Sequence, residues 1–286
     1  MTSPSSPLVD RFGEDGVRRF SSAVADLGRP HAAALTRITA LLLPLQVGPY
    51  FHTVEGEPVS LREYADDIEQ PLDAEHASWA RLGSDRAYDL VANPDGEVHA
   101  LLIGYDEPLK FVNSSPEALA DALLGLDVLL ETIGSTDDPE VASTAFSALE
   151  ERLRQADPRA FAGPENWWPL VLDDIRDTAS VEGYASFEIV DQEGKKEIFT
   201  ASGAICLHPE ERLWSSLDAA GVQPEQVTRI HTELEACSMP GHYCSMWLAM
   251  MFPDATLTHN FPYGESAASR REGIRQLLAA QRGGGM

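Results

Sequence analysis

His208 and Glu210, in the stretch HPE, and Cys237 and Cys244, in the run CSMPGHYC, gather an imidazole, a carboxylate and two thiols. Zinc binds such mixed nitrogen and sulfur donors tetrahedrally and can keep its fourth position open for water. A carboxylate beside the metal, without joining it, can carry protons to and from a reacting molecule. His208, Cys237 and Cys244 are therefore candidate ligands for zinc (Zn2+), and Glu210 is the candidate proton carrier. The three cysteines, 206, 237 and 244, fall within 39 consecutive residues. So few, in odd number, do not make a disulfide framework; they fit a metal or thiol site, or three small buried apolar side chains.

Rivals exist within the same stretch. His231 and Glu233 form a second H-x-E, but inside an alternating run without a helix start, which favours a structural or substrate-lining role. His242, between the two cysteines, is an alternative ligand. Trp214, His242, Tyr243 and Phe261 are aromatic candidates for the walls of a pocket or for the core.

These groups need elements to hold them. Pro209 in the first turn and Gly221 at the end delimit a helix over HPEERLWSSLDAAGV. VTRIHTELEA before Cys237 alternates as a strand, and GHYCSMWLAMMF around Cys244 reads as an apolar helix. VEGYASFEIVDQEGKKEIFTASGAI reads as a β-hairpin, ATLTHNF as a further strand, ESAASRREGIRQLLAAQ as a last helix and GGGM as a frayed tail. The order β-β-α-β-α-β-α predicts an α/β sandwich whose later strands are parallel, because helices cross between them. Two helix N-termini would then lie side by side at the carboxyl ends of strands, where their dipoles favour thiolate.

Length predicts two domains, divided here into residues 1–176 and 177–286. The net charge is −25; the first part holds 13 Lys/Arg against 31 Asp/Glu and the second 8 against 15. Such a surface suits a basic partner and opposes non-specific attraction to nucleic acid. Arg270, Arg271 and Arg275 on the last helix, with 271 and 275 spaced onto one face, form a basic cluster suited to phosphates or to acidic neighbours. No apolar stretch approaches a membrane span and no secretion leader is visible, so a cytoplasmic chain without membrane contact is expected.

In the first part, residues 17–46 read as one or two helices, apolar at Phe20, Val24, Leu27, Leu35, Ile38, Leu41 and Leu42 and broken at Pro30. VGPYFHTV and LKFVNSS read as strands, and 87–105 as a hairpin turning at NPDG. Ser115 and Pro116 start a helix with a broad leucine stripe; STDDPEVASTAFSALEERLRQADP contains another, and 161–175 closes this part.

Residues 178–282 resemble the bacterial polymorphic-toxin nucleic acid and nucleotide deaminases of the cytidine-deaminase-like superfamily. The resemblance runs through His208 and Glu210, Thr232 and Glu233, Cys237, Cys244, and the segment Thr258-His259-Asn260-Phe261-Pro262-Tyr263-Gly264. Two departures stand out: six residues separate the cysteines where the commonest pattern has two, and Ala236 takes the place of a proline. Residues 30–176 resemble the SUKH immunity-protein superfamily. The positions are Leu43-Pro44, Val47 to Phe51, Leu82-Gly83, Gly96 to Val98, Val112 to Ser115, Asp157 with Phe161, and Trp167-Trp168-Pro169. The fold implied is an α+β SUKH-like domain followed by an α/β three-layer deaminase-like domain.

Together the resemblances imply a zinc-dependent hydrolytic deaminase, cytosine to uracil, acting on single-stranded nucleic acid or a nucleotide. Its immunity-type domain, through residues 1–176, would bind a toxin or another protein. An alternative is a toxin-binding protein whose deaminase-like part is inactive or serves recognition; retention of all four groups favours the enzyme. A third is restraint of the deaminase by its own acidic neighbour.

Overall fold

A computed structural model of the chain describes residues 6–20, 32–264 and 266–283. The chain divides into two compact units, Met1–Pro169 and Leu170–Met286.

The first unit begins with α1 (Pro7–Phe12), β1 (Val17–Arg19), α2 (Ala32–Arg37) and β2 (Leu42–Pro44). The helical reading of 17–46 holds only for α2. Val17–Arg19 instead pairs antiparallel with Leu42–Pro44. Helical spacing of apolar residues in a short window yields there to strand pairing, which buries Val17, Phe20 and Leu43. Val24, Leu27 and Pro30 lie outside the described residues.

A six-stranded antiparallel sheet follows in sequence order. Its strands are β3 (Gln46–Val47), β4 (Phe51–His52), β5 (Ala80–Ser84), β6 (Asp89–Ala92), β7 (Val98–Leu101) and β8 (Lys110–Asn113), with α3 (Leu61–Asp67) inserted before β5. The helices α4 (Pro116–Ser135), α5 (Pro139–Ala156) and α6 (Trp167–Ser180) come after it. Ser115 caps α4 by accepting from the N–H of Ala118 at 3.1 Å. Leu119, Leu123, Leu126 and Leu129 form its buried stripe.

Asn113 is the last residue of β8 and a bridge. It accepts from Trp168 Nε1 at 2.9 Å and donates to Asp157 at 3.2 Å. Asp157 also accepts from the backbone and hydroxyl of Ser114, and Trp167 Nε1 donates to Asp85 at 2.7 Å. Both tryptophans are fully buried, so each indole N–H needs the acceptor it finds.

The second unit contains β9 (Tyr184–Val190), β10 (Lys196–Ser202), α7 (Pro209–Ala219), β11 (Val227–Leu234), α8 (Cys244–Met251), β12 (Thr256–Phe261) and α9 (Ala267–Gly283). The sheet order is β10-β9-β11-β12. β9 is antiparallel to both neighbours, and β11 and β12 are parallel across α8, as the alternation of strands and helices requires. Phe187 and Ile230 on one sheet face pack with Leu213, Leu217, Leu248 and Ile274 from the three helices and with Phe252 just past α8. Burying such a side chain fully contributes about 1.5–3 kcal/mol. All of α6 from Leu170 on belongs to this unit and carries Asp174 and Asp177.

Candidate active site

The site forms where two helices begin. His208 is the N-cap of α7, Pro209 its first residue, and Glu210 and Glu211 lie in its first turn, where carboxylates suit the helix dipole. Glu211 accepts from the backbone N–H of His208 at 3.2 Å. Cys237 lies three residues past β11, and Cys244 opens α8.

The chain between the cysteines doubles back. The N–H groups of His242 and Tyr243 both reach the Met239 carbonyl at 3.1 Å, and the N–H of Ser245 donates to the Cys237 carbonyl at 3.0 Å. Gly241 and Tyr243 take positive φ, 82° and 46°, to make this return. A six-residue spacer thus sets the second thiol beside the first.

The donor atoms converge on one point. His208 Nδ1 lies 3.3 Å from Cys237 Sγ and 3.4 Å from Cys244 Sγ. All three donor atoms fall within 4.8 Å of one another. One imidazole and two thiols are a soft, mixed set suited to zinc, so the residues present fit that metal. Burial resists ionisation of Cys237, but hydrogen bonds from Cys244 and His208 and the charge of His208 hold its thiol well below the ordinary range. Burial and the neighbouring Cys237 push Cys244 well above it.

Behind His208 lies a closed polar group. Asp174 is 1% exposed. Its Oδ1 is 2.9 Å from His208 Nε2 and its Oδ2 is 3.1 Å from His242 Nε2. His242 Nδ1 is 2.7 Å from Glu211 Oε2. The two imidazoles stack with centroids 3.9 Å apart and planes 8° from parallel. His242, the rival ligand, therefore has both ring nitrogens on carboxylates. Burial works against its charge, yet Asp174 raises its pKa to about 9. Burial likewise opposes the charge of Asp174, and the two histidines hold its carboxyl well below the usual range.

Glu210 is 4% exposed, and its Oε2 has no hydrogen-bond partner among the described residues. Burial pushes its pKa up to about 7. Together with His208 and Cys237 it lines a cavity of about 350 Å³ whose other walls include Asp177, Thr232 and Tyr263. Burial raises Asp177 to about 6 although it accepts a hydrogen bond from the Tyr263 hydroxyl at 2.6 Å.

The remaining sequence candidates sit elsewhere. His231 and Glu233 alternate with cavity-lining Thr232 and so take the opposite sheet face. There His231 Nδ1 meets Thr258 Oγ1 at 3.0 Å, and Glu233 accepts from the Tyr184 N–H. Trp214 packs edge-on against Phe252 in the core, and neither Tyr243 nor Phe261 lines the cavity. Arg270 is buried, Arg271 is exposed, and Arg275 pairs with Glu272 at 2.9 Å, so the three arginines do not form one open patch. Sequence reasoning passed over Asp174, Asp177, Glu211 and Tyr263. Asp174 lies in the stretch 161–175 that closes the first part by sequence, and Asp177 just after it; Tyr263 lies in the very segment that carries the deaminase resemblance.

The family description that matches residues 4–174 is SUKH-4 immunity protein, and the one that matches residues 180–280 is Xanthomonas-like deaminase. No curated protein and no solved structure matches the chain.

Proposed function

This chain belongs to the SUKH-4 immunity protein family and carries a deaminase-family domain behind it, and we propose that the second domain is a zinc-dependent hydrolytic deaminase of a nucleobase. The reaction is cytosine plus water to uracil plus ammonia, on a base presented by a nucleotide or by single-stranded nucleic acid. The first domain binds a protein partner of the toxin class, and the second, whose compact unit begins at Leu170, holds the chemistry. No helix among the described residues is long and apolar enough to cross a membrane.

The observation that carries this reading is the convergence of His208 Nδ1 and two thiols beside a buried carboxylate whose Oε2 has no hydrogen-bond partner among the described residues, with His208, Cys237 and Glu210 lining one cavity. His208, Cys237 and Cys244 hold zinc, which when bound supplies Lewis acidity for activating water. Glu210 takes a proton from the attacking water at Oε2 and gives it to the ring nitrogen, then carries a second proton, from the hydroxyl that the attack leaves on the ring carbon, to the departing amine. A cavity of about 350 Å³ is of the size that small-molecule sites occupy. Among the described residues its walls include Asp177, Glu182 and Glu235 and no lysine or arginine, which favours an uncharged base inside and phosphates outside.

The test measures bound zinc and uracil formation on single-stranded DNA, double-stranded DNA, RNA and free cytidine, for wild type and Glu210→Ala. Stoichiometric zinc in both, with turnover lost about 100-fold or more in the variant, is expected. Absence of zinc, or turnover indifferent to Glu210→Ala, would sink the reading.

A further inference from the structure

His208 offers two ring nitrogens, and its Nδ1 is the one that faces the thiols. Its Nε2 faces Asp174 Oδ1 at 2.9 Å. A neutral imidazole with its proton on Nε2 has its lone pair on Nδ1, so a carboxylate accepting at Nε2 selects the tautomer that a metal on the thiol side needs.

Asp174 is itself braced. Its second oxygen lies 3.1 Å from His242 Nε2, and the far nitrogen of His242 lies 2.7 Å from Glu211. Glu211 closes the circuit by accepting from the backbone N–H of His208. The stacked rings, 3.9 Å apart, leave neither imidazole room to tilt. Rotation of Asp174 or of His208 would break a buried hydrogen bond and leave a charged group without its partner.

We propose that Asp174, braced by His242 and Glu211, is the positioning residue that aims His208 Nδ1 at zinc; the inference rests on the zinc reading above. It also gives the long spacer between the cysteines a purpose. The loop 238–243 returns the second thiol to the first and, on the way, delivers His242 to the far side of Asp174.

The experiment uses the full chain and needs no substrate. Asn at 174 presents one acceptor and one amide donor where Asp presents two acceptors, so one of the two facing ring nitrogens loses its acceptor. For Asp174→Asn the zinc dissociation constant, from competition with a chromophoric chelator, rises about 10–100-fold. The visible d–d bands of the cobalt(II)-substituted protein shift, while the far-ultraviolet circular dichroism stays that of wild type. A folded variant with wild-type zinc affinity and wild-type cobalt bands overturns the proposal. Should Asp174→Asn not fold, His242→Gln, which releases Asp174 Oδ2, is read the same way, and an unshifted cobalt spectrum with zinc affinity within twofold of wild type overturns it. A wild-type chain that takes up no zinc refutes the underlying reading instead, and a wild-type chain that binds zinc but forms no uracil in the separate assay above refutes the reaction and leaves Asp174 in its role.

Discussion

Gly273→Ala sets two effects of opposite sign against each other inside α9. Ala is favoured over Gly in a helix interior by about 1 kcal/mol, so propensity alone predicts a more stable protein. Packing predicts the reverse. A Cβ at 273 would stand 1.9 Å from the Pro262 carbonyl oxygen and 3.1 Å from its carbon. Restoring an ordinary carbon–oxygen contact of ~3.3 Å needs roughly 1.4 Å of displacement between α9 and that loop. Neither side yields freely. The next residue, Tyr263, is tied by its N–H to Glu235 and by its hydroxyl to Asp177, and α9 seats Ile274 and Leu277 in the core. Overpacking of this kind costs ~1–3 kcal/mol, and a backbone obstacle lies at the upper end, so a net loss of about 2 kcal/mol is expected. For a unit of this size that lowers Tm by roughly 6–10 °C. Gly134, near the end of α4, supplies the contrast: nothing lies within 4 Å of its would-be Cβ. Gly134→Ala therefore gains several tenths of a kcal/mol, up to about 1. Calorimetry of the two variants checks both signs. A Gly273→Ala protein as stable as wild type would refute the close-approach argument.

Other consequences are open to measurement. Asp177 has its folded pKa raised to about 6, so its contribution is fully present below the unfolded value near 3.8 and is lost as pH rises through 6. Asp177→Asn should accordingly stabilise the protein at pH 7.5 by about 2 kcal/mol and leave it unchanged or weaker at pH 4; equal effects in denaturant titrations at the two pH values would contradict this. Trp168→Phe removes the donor to Asn113 from a fully buried position and should cost about 1–3 kcal/mol in chemical denaturation, with zinc affinity unchanged. His231→Gln alters an H-x-E on the far sheet face, and zinc content and uracil formation should match wild type; loss of either would place His231 at the site after all.

Much of the second unit was legible because its signals are local. Pro209 and Gly221 bracket α7, alternation marks β11, and the β-α-β order around Cys237 and Cys244 implies the parallel pair β11–β12. The geometry of the loop 238–243 was not legible, because it depends on two positive-φ residues and on a carbonyl capped from α8. Asp174 escaped notice because a carboxylate in an amphipathic helix looks solvated until the residues 34 and 68 positions later fold onto it. In the first unit the hairpin and the caps of α4 carry their own turn chemistry. The Val17–Arg19 strand does not, since its partner lies beyond α2, and helical spacing misled there. The capping box Ser60 to Glu63 that starts α3 follows the S-x-x-E pattern, a signal that lies wholly within four residues.

Asp174 lies upstream of β9, the first strand of the sheet. A fragment trimmed to begin at β9 would keep the imidazole, both thiols and Glu210, and by pattern alone would count as whole. It would lack the carboxylate shared by the two stacked rings, leaving two facing nitrogens to settle their protons without it. The smallest transplantable piece of this chemistry is therefore longer than its motif, and grafts or minimal enzymes made from it should start at Leu170 or before.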